Sequence, residues 1–364
     1  MSGIISLRGK VNYTNLSRYS DLNEKTYRRQ FAKKLNFIEF NRIGNKVAIP
    51  ESAVKIAAMD CSFVAKSGKK TYGLAQFWNG KQGKAEKGLE ISTLAVVDVD
   101  YNTAYHVSTR QTPEESKDGE TRVHDYVRHF QKDCYALPED VRYVVTDAYY
   151  TKKLITNGIL ESGFQQIGKL RRDANLRYLY TGEQKPKGRH KIYDGKVVIG
   201  EVDHLEFVGE INGATAYTAV VNCVNLERNI RIVYLVYKTS FALLFSTDTE
   251  LDALSIVRYY QARFQIEFLF RDAKQFTGLC DCQARSEEAL HSHFNASFAA
   301  LNLIKWHDRK LSPNRKPISI GSWKSRFFNE LLIERIFCNF AFDLSLIKSS
   351  STYEELCNFG AVSC

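Results

Sequence analysis

The stretch "VRYVVTDAYY", residues 141–150, reads as a strand in which β-branched and aromatic residues run into an acid, Asp147, that opens a turn. Helical patterns flank it, "RVHDYVRHFQKDCY" at 122–135 and "TKKLITNGILESG" at 151–163. Upstream lie three strand-like runs, "AVKIAAMD" (53–60), "TYGLAQFW" (71–78) and "LEISTLAVVDVD" (89–100), separated by Gly/Lys-rich turns at 66–70 and 80–88. Downstream, "FQQIGKL" (164–170) is a further strand. Three strands, a helix, a strand, a helix and a strand predict an α/β fold, a mixed sheet flanked by helices. Residues 186–240 break that order with alternating runs such as "ATAYTAVVNCV" and "RNIRIVYLVYK", a β-rich insertion.

Both ends of the chain read as helical. In "NEKTYRRQFAKKLNFIEF" (23–40), Asn23 is an N-cap and Tyr27, Phe31, Leu35 and Ile38 form an apolar stripe. This basic second helix is compatible with helix-turn-helix docking, Arg28 and Arg29 facing DNA, and equally with a small basic bundle. "NRIGNKVAIPES" (41–52) reads as a linker. The expected organisation is a basic helical DNA-binding region at 1–50, a catalytic domain at 51–305 with its insertion at about 186–240, and a helical region at 306–364.

The formal charge of +10 is concentrated: residues 1–50 carry +7, residues 165–196 carry +6, and the remainder −3. The second segment holds Arg171, Arg172 and Arg189, the last in "KPKGRHK", which has the look of a minor-groove arm or of a solvated loop. Two basic segments on a slightly acidic chain point to a polyanion, most simply nucleic acid. No apolar run approaches the ~20 residues of a membrane span, and "MSGIISLRGKVNYTN" lacks a signal-peptide core, so a cytoplasmic protein is expected. The eight cysteines are scattered, suggesting reduced structural thiols rather than zinc pairs or a disulfide framework.

The chemistry is expected around "YYQARFQIEFLFRDAKQ", residues 259–275. On a helical wheel with Tyr260 at zero, Arg263, Glu267 and Lys274 fall within about 60° of it, while Ala262, Ile266, Leu269, Ala273 and Phe276 share the opposite, buried side. Taken alone, Arg263, Glu267 and Arg271 at i, i+4, i+8 are an ion-pair ladder. Asp60 and Asp147, however, each end a strand-like run, where sheets present reactive groups. If the strands are neighbours and this helix packs across them, Asp60, Asp147 and Glu267 meet at one point. Three carboxylates so close call for bound Mg²⁺ or Mn²⁺, and two ions about 4 Å apart would suit in-line phosphoryl transfer. Arg263 and Lys274 would then bind phosphates. Asp98 and Asp100 read as structural acids, and His291 and His293 as satisfied surface histidines.

Asp60 in "AAMDCSFV", Asp147 in "YVVTDAYY" and the Tyr-x2-Arg-x3-Glu-x6-Lys run resemble the DDE transposases of bacterial insertion sequences, specifically the family bearing the Tyr-Arg-Glu-Lys signature (insertion-sequence family four). The resemblance extends from about residue 51 to 305. It implies a ribonuclease-H-like core with a β-rich insertion, Asp60, Asp147 and Glu267 as metal ligands, and Tyr260, Arg263 and Lys274 on the DNA strand near the cut. It further implies binding of terminal inverted repeats, Mg²⁺-dependent cleavage and strand transfer to target DNA by a homodimer in a synaptic complex, in a nucleoid-associated protein. Characterised relatives stack an insertion Trp on an extruded base, whereas Trp78, Trp306 and Trp323 all lie outside 186–240, so a Tyr or Phe would have to substitute. Two rivals stand beside this reading: a ribonuclease-H-like nuclease without strand transfer, and an inactive transposase-derived DNA-binding protein.

Overall fold

The computed structural model describes residues 1–113, 119–311, 319–340, 343, 345 and 347–361. Four helices, α1 (Ser2–Ser6), α2 (Tyr13–Arg18), α3 (Glu24–Phe31) and α4 (Phe37–Ala48), precede the sheet. The sheet begins with β1 (Lys55–Ala65), β2 (Ala75–Asn79), β3 (Lys84–Asp98) and β4 (Thr103–Gln111). Helix α5 (Arg122–Asp133), β5 (Tyr143–Val145), α6 (Lys153–Glu161) and β6 (Gln165–Lys169) follow. The hydrogen-bonded order on this side is β4-β3-β1-β5-β6. The pairs β4·β3 and β3·β1 are antiparallel, and β1·β5 and β5·β6 parallel, which makes the sheet mixed.

Beyond β6 the same sheet continues through β7 (Leu176–Leu179), β8 (Tyr193–Lys196), β9 (Glu206–Ile211), β10 (Ala214–Cys223), β11 (Arg228–Val236) and β12 (Phe241–Ser246). Strand β12 joins the two halves by pairing antiparallel with β6. Helices α7 (Ala253–Ala262), α8 (Phe264–Phe276), α9 (Glu287–Leu311), α10 (Ile320–Asn339) and α11 (Ser351–Cys357) complete the chain. Residues 312–318, 341, 342, 344, 346 and 362–364 of the expected C-terminal helical region lie outside the described residues. None of the described helices is long and apolar enough to cross a membrane.

Alternation along β1 divides the core. Ile56 and Ala58 face one cluster with Ile266 and Leu269 of α8, while Ala57 and Met59 face a second with Tyr126, Phe130 and Ile155. Ile4, Leu7, Leu16 and Phe37 belong to the first cluster, so the N-terminal helices share a core with the sheet. Helix α9 runs unbroken across 305–306, where a boundary was expected.

Strand β1 runs on past Asp60 to Ala65, and the helix expected over 23–40 is two, α3 and α4; three further elements differ from expectation. Strand β4 was not anticipated: the third run ends at Asp98 rather than Asp100, turns through Asn102 at φ 52° and returns. Its inward residues include His106, Ser108 and Thr109, so the apolar alternation that marks a strand is missing. The polar choice has a reason. Beyond β3, the backbone of β4 meets helices: Asn295 Oδ1 accepts the Thr109 N–H (3.1 Å), Asn302 Oδ1 accepts the His106 N–H (2.9 Å), and Asn41 donates to Val107 O (3.1 Å). Helix amides thus cover a sheet edge that would otherwise be open.

The same contacts overturn the linker reading of 41–52, because α4 continues through Ala48 and buries Asn41 and Asn45. Gly44 sits against the Trp306 ring, and a Cβ there would lie 2.1 Å from it. Gly44→Ala is therefore expected to lower the melting temperature: overpacking costs about 1–3 kcal/mol against a gain in helix propensity of ~1 kcal/mol.

The third difference is the segment 259–275, which is two helices meeting at Arg263. The Arg263 N–H is shared between the carbonyls of Tyr259 and Tyr260 (3.3 Å each), and Ile266 N–H bonds tightly back to Arg263 O (3.0 Å).

His293, expected at the surface, is buried with Nε2 2.8 Å from Gly278 O, while His291 is exposed. Burial pushes His293 down to about 4 and His106 to about 3. Both folded values lie below the ~6.5 of the unfolded chain, so their contribution is complete above that pH and is lost as pH falls toward 4. The contribution of these two groups to the urea midpoint should accordingly be lost between pH 7 and pH 4, so that the midpoint of His106→Asn falls less, or rises more, over that interval than that of wild type.

Candidate active site

Sheet register places the first two acids. Ala57 and Ala58 of β1 lie beside Val144 and Val145 of β5 in parallel. Two residues on from Ala58 and Val145, which face the α8 side, stand Asp60 and Asp147, close enough for the Asp147 charge to act on Asp60. Asp60 Oδ1 accepts the Cys61 N–H (2.8 Å). Asp147 caps the turn after β5, its Oδ1 accepting the N–H groups of Tyr149 (2.9 Å) and Tyr150 (3.3 Å). Burial, followed by the Asp147 charge, pushes the Asp60 carboxyl up to about 7.

Helix α8 supplies the rest. Glu267 accepts from Arg263 Nη2 (2.8 Å), and Arg263 Nη1 lies 3.7 Å from Asp60 Oδ2. The guanidinium is almost wholly buried (7% of the side chain exposed), against the rings of Phe264 (5.0 Å) and Tyr260 (5.7 Å), and its buried Nε has no hydrogen-bond partner among the described residues. Lys274 donates to Ser62 Oγ (2.8 Å). Glu267 and Lys274 are two turns apart on one helix face, Asp60 and Ser62 two residues apart on one strand face, so helix and strand run side by side.

The acids do not meet at one point as expected. Among the described residues, no three His, Cys, Asp or Glu side chains are close enough to hold a metal ion. Asp60 and Asp147 are neighbours, and Glu267 is held across the Arg263 guanidinium, which neutralises it. The donor set still fits Mg²⁺ or Mn²⁺: it is all carboxylate oxygen, and the Asp60 carboxyl, raised by burial and then by the Asp147 charge, is a group whose ionised form a bound cation would favour.

The remaining expected residues lie elsewhere or pair elsewhere. Arg271 pairs with Asp272 (2.8 Å), so the ladder from Arg263 stops at Glu267. Arg28 Nε bonds Glu24 (2.8 Å) and Arg29 bonds Thr26 (3.4 Å) on α3. Arg171 pairs with Asp173 (3.0 Å), Arg172 lies over Phe241 (5.2 Å), and Arg189 is exposed between β7 and β8. Asp98 is fully buried beside Arg309 (3.4 Å), and Asp100 accepts the Val54 N–H (2.9 Å), both structural. Ser62, which holds Lys274, is a further member of the site, marked in the sequence by its i+2 spacing from Asp60.

The model of the transposase DDE domain matches residues 55–303. Two solved structures show distant likeness. One is a piggyBac transposase synaptic complex with hairpin DNA, at 13% identity and a TM-score of 0.43, covering 82% of this chain. The chain spans 55% of that transposase's length. The other is the NurA nuclease from Sulfolobus solfataricus, at 12% identity and a TM-score of 0.29, covering 66% of this chain and 82% of that one. No curated protein matches the chain.

Proposed function

The chain belongs to the transposase DDE domain family, and from that premise we propose that it binds the terminal inverted repeats of an insertion sequence, cleaves a DNA strand at each end and joins the freed 3′-hydroxyls to target DNA. The observation that carries this is the register of β1 and β5, which sets Asp60 beside Asp147 under α8. We assign the chain to the insertion-sequence family with the Tyr-Arg-Glu-Lys signature, on Tyr260, Arg263, Glu267 and Lys274. The strand order β4-β3-β1-β5-β6 supports a ribonuclease-H-like core within 51–305, with β7 to β12 as its insertion.

In this reading Asp60, Asp147 and Glu267 hold two Mg²⁺ or Mn²⁺ ions. Bound there, such ions supply the activation of water or a 3′-hydroxyl and the stabilisation of the leaving oxygen. The protein's own part is positioning. Asp147 is fixed by two backbone N–H bonds, and Asp60 by one. Arg263, released from Glu267 when the acids are otherwise neutralised, pairs bidentately with a phosphate beside the reacting one. Lys274, braced on Ser62, takes the next phosphate as a point charge. Tyr260 packs under the Arg263 guanidinium and limits its excursion. Two ends held together imply a homodimer in a synaptic complex.

The test is incubation with labelled repeat ends and Mg²⁺, resolving nicked and joined species. Nicking with joining is the expected outcome. Nicking alone would mark a nuclease, and binding without nicking an inactive relic.

A further inference from the structure

A cleft of about 940 Å³ opens where α8 ends. Its walls are the end of β1 with residues 65–68, the 280–286 segment after α8, and helices α2 and α3. Lys10, Arg28, Lys66 and Arg285 line it, against a single acid, Asp281, whose Oδ2 is engaged by the Val11 N–H (2.8 Å). Arg28 is offset by Glu24. Among the described residues, Lys10, Lys66 and Arg285 form no ion pair with any carboxylate. Lys66 donates to the Cys282 carbonyl, and burial together with the nearby Arg285 charge holds its ammonium below the usual lysine range. Like charges gathered around a concave surface, with a lone and already engaged acid, call for an external anion.

The cleft begins close to the candidate active site, on the same strand β1 and just after the same helix α8. Lys274 bonds Ser62, two residues from Asp60, and lies near Cys280, which lines the cleft. From Asp60 to Lys66 the chain advances six residues, almost all in extended β1, or about 20 Å at ~3.3 Å per residue. A DNA strand advances ~3.4 Å per nucleotide along its axis, so that span corresponds to about six nucleotides.

We propose that this cleft holds the phosphate backbone of one DNA strand, about five to seven nucleotides from the bond being cut, with Lys10, Lys66 and Arg285 as the phosphate-binding residues. The inference rests on the transposase reading above. It adds a second anchor on the same strand, which fixes the direction in which that strand leaves the acids. Lys10, from the N-terminal segment, then contacts the DNA through a backbone phosphate.

The test uses the full chain and duplex DNA ending in the terminal repeats. Lys10→Ala/Arg285→Ala changes two exposed residues and should leave the fold intact, whereas the triple variant adding Lys66→Gln probes the half-buried member. The double variant should reduce the slope of log K against log salt by about 1.4–1.8, and the triple variant by about 2–2.7. In wild type, a methylphosphonate placed about five to seven nucleotides from the cut should weaken binding, and in the triple variant it should have no further effect. If wild type nicks and joins ends while the double variant keeps the wild-type slope, the cleft assignment is overturned and the transposase reading survives. If wild type neither binds nor nicks the ends, both fall.

Discussion

Asp60→Asn is expected to reduce Mg²⁺-dependent end cleavage by at least about 10³-fold, because metal-borne charge stabilisation in such a site amounts to several kcal/mol. In chelator at pH 8, the same variant should melt at a higher temperature than wild type. The two effects share a cause. The Asp60 carboxyl is raised to about 7 by burial and by Asp147, against about 3.8 in the unfolded chain. A folded-state value above the unfolded one means that the folded protein binds the extra proton. Metal-free stability is therefore greatest below pH 4 as far as this group is concerned, and declines as pH rises toward 7. By pH 8 the deficit is on the order of 4 kcal/mol at most, and Asn removes it. Mg²⁺ should raise the wild-type melting temperature and leave that of Asp60→Asn nearly unchanged. An active variant, or one no more stable than wild type in chelator, would count against the assignment.

Arg263→Gln carries the second large effect, with the opposite sign. The guanidinium is the cation that Asp60 and Glu267 share, and it is almost wholly buried. Removing one partner of a buried ion pair typically costs about 3–5 kcal/mol; with Glu267 45% exposed, solvent screening brings the expectation here to about 2–3 kcal/mol. The variant should thus be markedly less stable than wild type in chelator, and regain more of that stability than wild type does when Mg²⁺ is added. It should also bind repeat ends more weakly, since a phosphate partner is lost. Equal urea midpoints for variant and wild type in chelator would show that the guanidinium does not neutralise the acids.

The two aspartates were legible because each ends an apolar run, but only Asp147 follows the end of its strand; β1 continues past Asp60 to Ala65, paired with β3, so Asp60 stands in mid-strand. Glu267 was legible by its spacing from Arg263 and Lys274. What the wheel could not show was Arg263 itself: a regular helix through 259–275 puts it on an exposed rim, whereas the break there turns it inward between the acids. Strand β4 and helix α4 were hidden for a related reason. The contacts of β4 are polar, through Asn41 and Asn45 of α4 and Asn295 and Asn302 of α9, and polar burial leaves no hydrophobic period to read. The basic segments were visible as charge, but only the fold gathers Lys10, Lys66 and Arg285, far apart in sequence, around one cleft.

Mn²⁺ soaked into crystals of the protein bound to a repeat end, and located by its anomalous scattering, probes the acid pair most directly. The expected result is a peak about 2 Å from carboxylate oxygens of both Asp60 and Asp147, with the Arg263 guanidinium moved off Glu267 and onto a phosphate. A peak bound to neither aspartate, with Arg263 still bridging Asp60 and Glu267, would contradict it.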